Sequence, residues 1–251
     1  MDEKTPKKTH GLLSFSTRSY PTFGRQRRPY DENNPPKTVT DSPYYWWYVY
    51  LKLNEDYYKT CQANGDGKLA GLYKDFGDIY TMNFKEWWQS RVILFAEPKP
   101  KYRMMVANSM SDIAPFNSDE VLNLVVPLNR SQRSLKKAFT YLVLKKLEKG
   151  RRGVSTETSE AKYKLSGKWH IEALKTAYKV YVTKKNYEKE GTKKAWADIA
   201  IEIQLPYANS LTNDKKINSD IRKTLTMLTI RYYTRAQQYI NAAASNSFPH
   251  S

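Results

Sequence analysis

Six prolines in the first 43 residues limit what this part of the chain can fold into. They stand at Pro6, Pro21, Pro29, Pro35, Pro36 and Pro43. Proline lacks a backbone N–H and fixes φ, so closely spaced prolines break helices and remove the donors that a strand needs. The segment also shows no periodic apolar face. The sequence therefore predicts an extended arm over residues 1–43 that stays outside the folded core.

The arm is basic and aromatic. Between Lys4 and Tyr30 it carries seven cations and no acid, interleaved with Phe and Tyr. This mixture is typical of a segment that adheres to a partner surface, and a solvated tail can have the same composition. We take as its candidate partner-binding residues Arg18, Tyr20, Phe23, Arg25, Arg27, Arg28 and Tyr30.

An aromatic helix is predicted after the arm. Ser42 suits a helix N-cap and Pro43 the first helical position, and aromatic residues then recur at helical spacing to about residue 60. The run Tyr44-Tyr45-Trp46-Trp47-Tyr48 is too dense for one helical stripe, as is Trp87-Trp88 further on. Some of these rings are expected to lie away from the core, at a protein interface or against stacked bases. Burial between two helices is the plainer interpretation.

The rest of the segment 44–130 is predicted to contain a second helix and two strands. Asn83 and Glu86 have the spacing of a capping box, which begins a helix over 84–97 that Pro98 ends. Between the two helices, the sequence Asn64-Gly65-Asp66-Gly67 predicts a turn. The apolar stretches 102–108 and 121–128 are short and flanked by breakers, so both are candidate strands.

Residues 131–251 read as a basic helical module. Apolar residues at helical spacing predict helices near 135–147 and 171–191 and a long one from about 219 to 244. Nine cations and one acid fall between residues 130 and 152. Either a contact surface or a solvated helical face explains this density. The candidate partner-binding residues here are Lys145, Lys146, Arg151 and Arg152.

The predicted fold class is therefore mainly α with a small β element, an α+β chain in which an extended basic arm precedes a helical body. The predicted organisation is an arm over 1–43, an aromatic helical module over 44–130 and a basic helical module over 131–251. The 251 residues are enough for a sizeable core. Forty-two Lys and Arg against 25 Asp and Glu give a net charge of +17, which favours a polyanionic partner. Nucleic acid, an anionic membrane and an acidic protein surface all fit that charge.

No catalytic motif is complete. Asp75-Phe76-Gly77 resembles the magnesium-binding triplet of kinases, but the glycine-rich loop and the catalytic loop of that class are missing. The carboxylates Asp75, Asp78, Glu86 and Glu97 match no metal-binding spacing, and Cys61 has no neighbouring histidine. The single cysteine also excludes an intrachain disulfide. We therefore expect no enzymatic activity, no catalytic residue, no metal and no cofactor.

No stretch of about 18 apolar residues occurs, so a membrane partner is not expected. The chain also begins without an apolar run long enough for a signal peptide. Its expected location is the cytoplasm of a bacterial host.

Four aromatic and acidic motifs carry a resemblance. Residues 46–48 (WWY), 72–79 (LYKDFGDI), 84–88 (FKEWW) and 94–98 (LFAEP) are similar to a family of uncharacterised proteins of proteobacterial mobile elements. The similarity covers most of 44–130, with weaker echoes at 125–129 and 231–249. It implies no active site. In that setting the basic arm resembles that of the external capsid scaffolds of phage satellites, which confine the coat protein of a helper phage to a smaller shell.

Two functions follow from these observations. In the first, the chain is a non-enzymatic assembly protein whose body self-associates and whose arm binds the major capsid protein of a phage, on the capsid exterior. Arginine supports this because it offers several donors to carboxylates. In the second, the chain is a DNA-binding regulator or replication accessory protein. The segment around Trp196 resembles the first helix of a helix-turn-helix, with Ile199, Ala200 and Ile203 inward, followed by Pro206 and a long loop.

Overall fold

The computed structural model describes residues 13–23, 30–98, 104–116, 121–146, 159–210 and 215–250, and for 144–146 the backbone alone. These residues form nine α-helices and two short strands. In chain order they are α1 (Lys37–Thr40), α2 (Pro43–Leu51), α3 (Glu55–Gln62), α4 (Ala70–Phe76), α5 (Phe84–Arg91), α6 (Gln132–Lys146), β1 (Lys164–Leu165), α7 (Ile171–Lys189), α8 (Trp196–Glu202), α9 (Lys215–Ala243) and β2 (Ser247–Phe248). The predicted fold class, mainly α with a small β element, is confirmed.

The chain forms two compact units. Residues 1–97 and 156–251 make up one, called here the core unit, and residues 98–155 make up the other, the inserted unit. The core unit thus combines the aromatic helices that follow the arm with the helices of the C-terminal region. The core unit includes parts of all three segments predicted from the sequence, which are 1–43, 44–130 and 131–251.

Trp47 lies at the centre of the core unit. Its fully buried indole stacks on Phe248, with ring centroids 5.4 Å apart, and meets Phe95 edge-on at 5.3 Å. Its Nε1 donates a 2.9 Å hydrogen bond to the backbone oxygen of Ala243. A buried indole needs apolar neighbours and an acceptor for its N–H, and this position supplies both. Trp47 therefore fastens α2 to the end of α9 and to β2.

Helix α2 is buried on almost every side. Five of its aromatic residues are buried and Tyr45 is half-buried; the buried ones are Tyr44, Trp46, Trp47, Tyr48 and Tyr50. The Trp pair on α5, Trp87 and Trp88, is buried as well. A helix that is apolar all round is a core helix, so burial between helices is the correct interpretation of both clusters. The expectation that several of these rings lie away from the core is wrong.

The single helix predicted at 43–60 is replaced by α2 and α3. The side chain of Asn54 accepts a 2.9 Å hydrogen bond from the N–H of Tyr57, and its Nδ2 donates to the oxygen of Ile240 at 3.3 Å. An N-cap side chain supplies the acceptor that the preceding turn would otherwise give. Helix α2 ends at Leu51, and Asn54 begins α3 as its N-cap.

Two local predictions are confirmed. Asn64, Gly65 and Gly67 have φ values of 51°, 101° and 141°, as a turn in the left-handed region requires. Asn83 and Glu86 form the predicted capping box, in which each side chain accepts a hydrogen bond from the backbone N–H of the other, at 3.0 and 3.1 Å. Both features depend only on neighbouring residues.

The helix after the capping box is shorter than predicted. It ends at Arg91 and continues as a 3-10 turn over Val92–Leu94. Pro98 has no N–H for the oxygen of Leu94, and the backbone N–H of Tyr163 donates to that oxygen at 3.1 Å instead. Tyr163, which is distant in the sequence, thus donates to the oxygen that would have accepted the next hydrogen bond of the helix.

The strand predictions are wrong in the part of the chain that the structure describes. Residues 104–108 and 121–128 have irregular backbone, and residues 102 and 103 lie outside the described residues. The strands are β1 and β2, which pair in parallel with Leu165 opposite Phe248. Both of these side chains are fully buried. The two strands pair where Leu165 and Phe248 are buried together. The short apolar runs at 102–108 and 121–128 give no sign of this pairing.

The arm does contribute to the core. Of its residues, 13–23 and 30–43 are described, and the prediction that they stay outside the core is wrong. Phe15 packs against Trp88, with ring centroids 5.9 Å apart, and Phe23 lies 6.0 Å from Phe84. An extended segment needs no apolar period to dock, because single aromatic side chains fill the gaps that the Trp-rich helices leave.

The three helices predicted after residue 130 are confirmed as α6, α7 and α9, and residue 147 lies outside the described residues. Helix α9 packs against α2, α7 and α8. Val180, Ala200 and Leu225 belong to a second apolar cluster among α7, α8 and α9. None of the described helices is both long and apolar enough to cross a membrane.

Replacement of Trp87 tests the aromatic core. Trp87→Ala is expected to lower the free energy of unfolding by about 3–5 kcal/mol, because the side chain is fully buried. Trp87→Phe should cost less, since it keeps a ring and removes an Nε1 that has no hydrogen-bond partner. Ile93→Ala, at a side chain that is 61% exposed, is the control and should change stability by about 0.5 kcal/mol or less. Urea unfolding measures all three, and equal effects of Trp87→Ala and Ile93→Ala would contradict the burial of Trp87.

The buried tyrosines make the fold sensitive to alkali. Burial, with smaller contributions from Tyr178 and Glu32, raises the pKa of Tyr45 from 10.0 to about 12. Burial also raises the pKa of Tyr44, Tyr50 and Tyr57. A raised pKa means that the folded state holds the phenolic proton more tightly than the unfolded state does. This difference contributes fully to the stability of the fold below about pH 10. The contribution is lost as the pH rises through the pKa values of the folded state.

We therefore expect the melting temperature to fall steeply between about pH 10 and pH 12. The tyrosinate absorbance should rise together with the loss of near-ultraviolet circular dichroism, because these phenols ionise when the core opens. Full tyrosine ionisation with an unchanged near-ultraviolet spectrum would contradict this expectation.

Candidate partner-binding surface

The inserted unit exposes an unusual amount of apolar surface. Among the described residues, most of the large apolar side chains that remain exposed belong to this unit. Val125 is 99% exposed and Leu128 92%. Others in the same stretch are Met104, Met105, Val106, Met110, Phe116, Leu122, Leu124, Val126, Phe139 and Leu142. Single exposed apolar residues are common, but a concentration like this marks an interaction surface.

Helix α6 adds positive charge to the inserted unit. Its 15 residues, QRSLKKAFTYLVLKK, include five cations and no acid. Leu135, Phe139 and Leu142 recur at steps of four and three, so they share one face of the helix. Phe139 and Leu142 are exposed and Leu135 is half-buried. Helix α6 is thus a basic amphipathic helix with an accessible apolar face, a pattern typical of helices that dock onto a partner.

A segment without regular secondary structure precedes this helix. Residues Val121–Val126 have no regular secondary structure, and Leu122, Leu124, Val125 and Val126 are exposed. The side chain of Asn123 donates a 2.8 Å hydrogen bond to the oxygen of Ala114 within the same unit. The segment is therefore tethered through one polar side chain while its apolar side chains face solvent.

The core unit is closed where the chain leaves it and returns. Glu97, which is buried, accepts hydrogen bonds from Oγ of Ser159 at 2.6 Å and from the N–H of Glu160 at 2.9 Å. The N–H of Glu97 donates to the oxygen of Ser14 at 2.9 Å. These hydrogen bonds satisfy the buried carboxylate. Together with the backbone bond to Ser14 they link three segments that are distant in the sequence. Glu97 and Ser159 are thereby held close to each other.

The structure describes four of the seven candidate residues in the arm. Arg18 is exposed, and Tyr20 stacks on Phe15 with ring centroids 4.9 Å apart while remaining 43% exposed. Phe23 and Tyr30 are half-buried, pack against the core and meet edge-on at 5.5 Å. Outside the described residues lie Arg25, Arg27 and Arg28. A partner contact for this set stays a prediction.

The basic candidates near residue 150 are only partly described. Lys145 and Lys146 belong to the last turn of α6, where the structure describes the backbone alone. Arg151 and Arg152 lie outside the described residues. The sequence indicates the charge of this region. It does not indicate the exposed apolar surface, because the apolar stretches 102–108 and 121–128 predict strands. The signal was present in the uncharged run 121–129, which is followed directly by a helix without acids.

The triplet Asp75-Phe76-Gly77 is structural. Phe76 is fully buried, and Gly77, with φ of 71°, ends α4. Burial acts to raise the pKa of Asp75, but hydrogen bonds from Lys162 and Tyr163 outweigh it and hold that pKa below its usual range. The triplet thus joins α4 to the segment before β1.

The other singled-out acids and the cysteine also have local roles. Asp78 accepts from the N–H of Tyr80 at 2.9 Å, and Glu86 completes the capping box. Cys61 is buried, and burial together with Asp78 raises its pKa to about 11, so the thiol is protonated at neutral pH. Within the described ranges, no group of three or more His, Cys, Asp or Glu side chains is placed to hold a metal ion.

The predicted helix-turn-helix start is helix α8. Ile199 and Ala200 are buried as expected, while Trp196 and Ile203 are half-buried. The connection to α9 spans residues 203–214, much longer than the three- or four-residue turn of DNA-binding motifs. The first turns of α9 are largely exposed and include Lys215, Arg222 and Lys223. Arg222 pairs with Asp198 at 2.6 Å, and Lys223 pairs with Asp220 at 3.2 Å.

Comparison of the chain with known protein families, with curated proteins and with solved structures found no match.

Proposed function

We propose that this chain is a non-enzymatic assembly protein of a phage satellite or related mobile element, which binds the major capsid protein of a phage as an external scaffold and alters capsid size. One observation carries the proposal. The inserted unit exposes large apolar side chains, among them Val125 and Leu128, beside a helix that has five cations and no acid. Apolar surface of this kind is costly in water and is kept where a partner covers it.

The charge of α6 favours a protein partner with acidic surface. Lys136 and Lys137 are exposed, and the helix that carries them has no carboxylate to neutralise them. An interface with an apolar centre and a charged rim gains affinity from burial, while its charges set specificity and the rate of association. A coat-protein surface that combines apolar residues with carboxylates would match both properties.

The structural roles of the singled-out acids also support a non-enzymatic function. The carboxylates of Asp75, Asp78, Glu86 and Glu97 each accept hydrogen bonds from backbone or side-chain groups of the core unit. These contacts give each acid a structural role, so no catalytic role is needed to explain its presence. Cys61 is buried and its thiol is protonated.

Co-expression with the coat protein of the helper phage tests the proposal. The wild-type chain should sediment with the shells and reduce their size. Lys136→Glu with Lys137→Glu should weaken binding about tenfold or more, because like charges then face the acidic partner. Lys189→Glu with Lys193→Glu changes the net charge equally on exposed residues of the core unit and should bind as the wild type does. Shells of unchanged size without bound protein would refute the scaffold function.

The second candidate function is DNA binding, favoured by the exposed cations at the start of α9, Lys215 and Lys223. Each phosphate contact should add about −0.9 to the slope of log affinity against log salt. Lys215→Glu with Lys223→Glu should make that slope shallower, whereas Lys136→Glu with Lys137→Glu should leave it unchanged. Absence of a gel shift at about 50 mM salt with duplex and single-stranded DNA would exclude this function.

A further inference from the structure

We infer that residues Val121–Val126, which have no regular secondary structure in the chain alone, form a strand when they add to the open edge of a β-sheet in the partner protein. The inference rests on the proposed function and states how the partner is recognised. Extended peptides that join a sheet edge gain affinity from backbone hydrogen bonds and specificity from alternate side chains. The segment has the backbone and the side chains for both.

The backbone of the segment is unpaired. In the part of the chain that the structure describes, no backbone hydrogen bond involves residues 121–126, and they lie outside every helix and strand. Their N–H and C=O groups are thus left to water, as those of an edge strand are. The bond from Asn123 to Ala114 uses the side-chain amide, so it leaves the backbone groups of the segment available.

The side chains suit a strand between two apolar surfaces. The sequence Val-Leu-Asn-Leu-Val-Val carries no charge, and three of its six residues are valines, which strands favour. In extended backbone, alternate residues point to opposite faces, which places Leu122, Leu124 and Val126 together and Val121 with Val125. Pro127 follows directly and limits the length of any ladder, because it has no N–H to donate.

A foreign sheet suits this segment better than a second copy of the chain. A second copy would offer the same segment, and two isolated strands are marginal in water, whereas three or more strands with an apolar face are stable. The sheet of the described residues, β1 with β2, has only two residues in each strand. Two copies would also bring two acid-free α6 helices to one interface, with repulsion between their cations. The occupant is therefore a partner protein that already has a sheet with a free edge.

Proline substitution within the segment tests this assignment. Val125→Pro removes one N–H from the ladder, and Val125→Thr keeps the N–H and the branched shape as a control. Both variants should melt like the wild type, because the side chain of Val125 is 99% exposed. With the full-length chain and shells of the helper-phage coat protein, Val125→Pro should bind about tenfold more weakly and Val125→Thr should bind normally. Amide hydrogen exchange should show protection of residues 121–126 in the complexes of the wild type and of Val125→Thr, and none in the free chain.

The outcomes separate this inference from the proposed function. If the wild type and Val125→Pro bind the shells equally and residues 121–126 exchange as fast in the complex as in the free chain, the strand addition is wrong and the scaffold function stands. If the wild type does not bind the shells, both are wrong. Protection of residues 121–126 that grows with the concentration of the free chain would show pairing between two copies and overturn the assignment to a foreign sheet.

Discussion

The burial of Trp47 is the constraint on which the rest of the fold depends. The indole occupies the centre of a helix with few polar side chains, so α2 has to be enclosed rather than laid on a surface. Enclosure needs segments from the whole chain, and the hydrogen bond from Nε1 to the oxygen of Ala243 joins residues that are 196 positions apart. Tyr50 repeats the pattern by donating to the oxygen of Leu174 at 2.8 Å. The two ends of the chain therefore meet around α2, and the core unit is discontinuous in sequence as a direct result.

A discontinuous core leaves a stretch of chain that the core does not use. The chain departs after Glu97 and returns at about residue 156, and the bonds of Glu97 to Ser159 and Glu160 lie wholly within the core unit. These bonds join Glu97 directly to Ser159 and Glu160, and the intervening sequence takes no part in them. That sequence is free to carry features which a core would reject, such as Val125 at 99% exposure. On the proposed function, stability and recognition are thus assigned to different parts of one chain.

The features predicted correctly from the sequence are those fixed by neighbouring residues. The capping box of Asn83 and Glu86, the turn at Asn64 and the periodicity of α9 all fall within a few residues or a single helix. The failures are long-range. The strands β1 and β2 form because Leu165 and Phe248 are buried together, and the arm docks because Phe15 fits against Trp88. Of the candidate surface, the charge of α6 was visible, but short apolar runs look the same whether they are buried or exposed.

The charge of the inserted unit also limits what its apolar surface can bind. An uncharged segment with exposed apolar side chains, such as 121–126, invites pairing with identical segments, which is a usual route to aggregation. The helix that follows it carries only positive charge, so two copies that approach through this surface repel each other at short range. The same charge attracts a partner that bears carboxylates. Self-association of the chain, which the sequence also suggests, would then use a different surface. On the proposed function, the cations of α6 therefore favour an acidic partner over a second copy at the apolar segment.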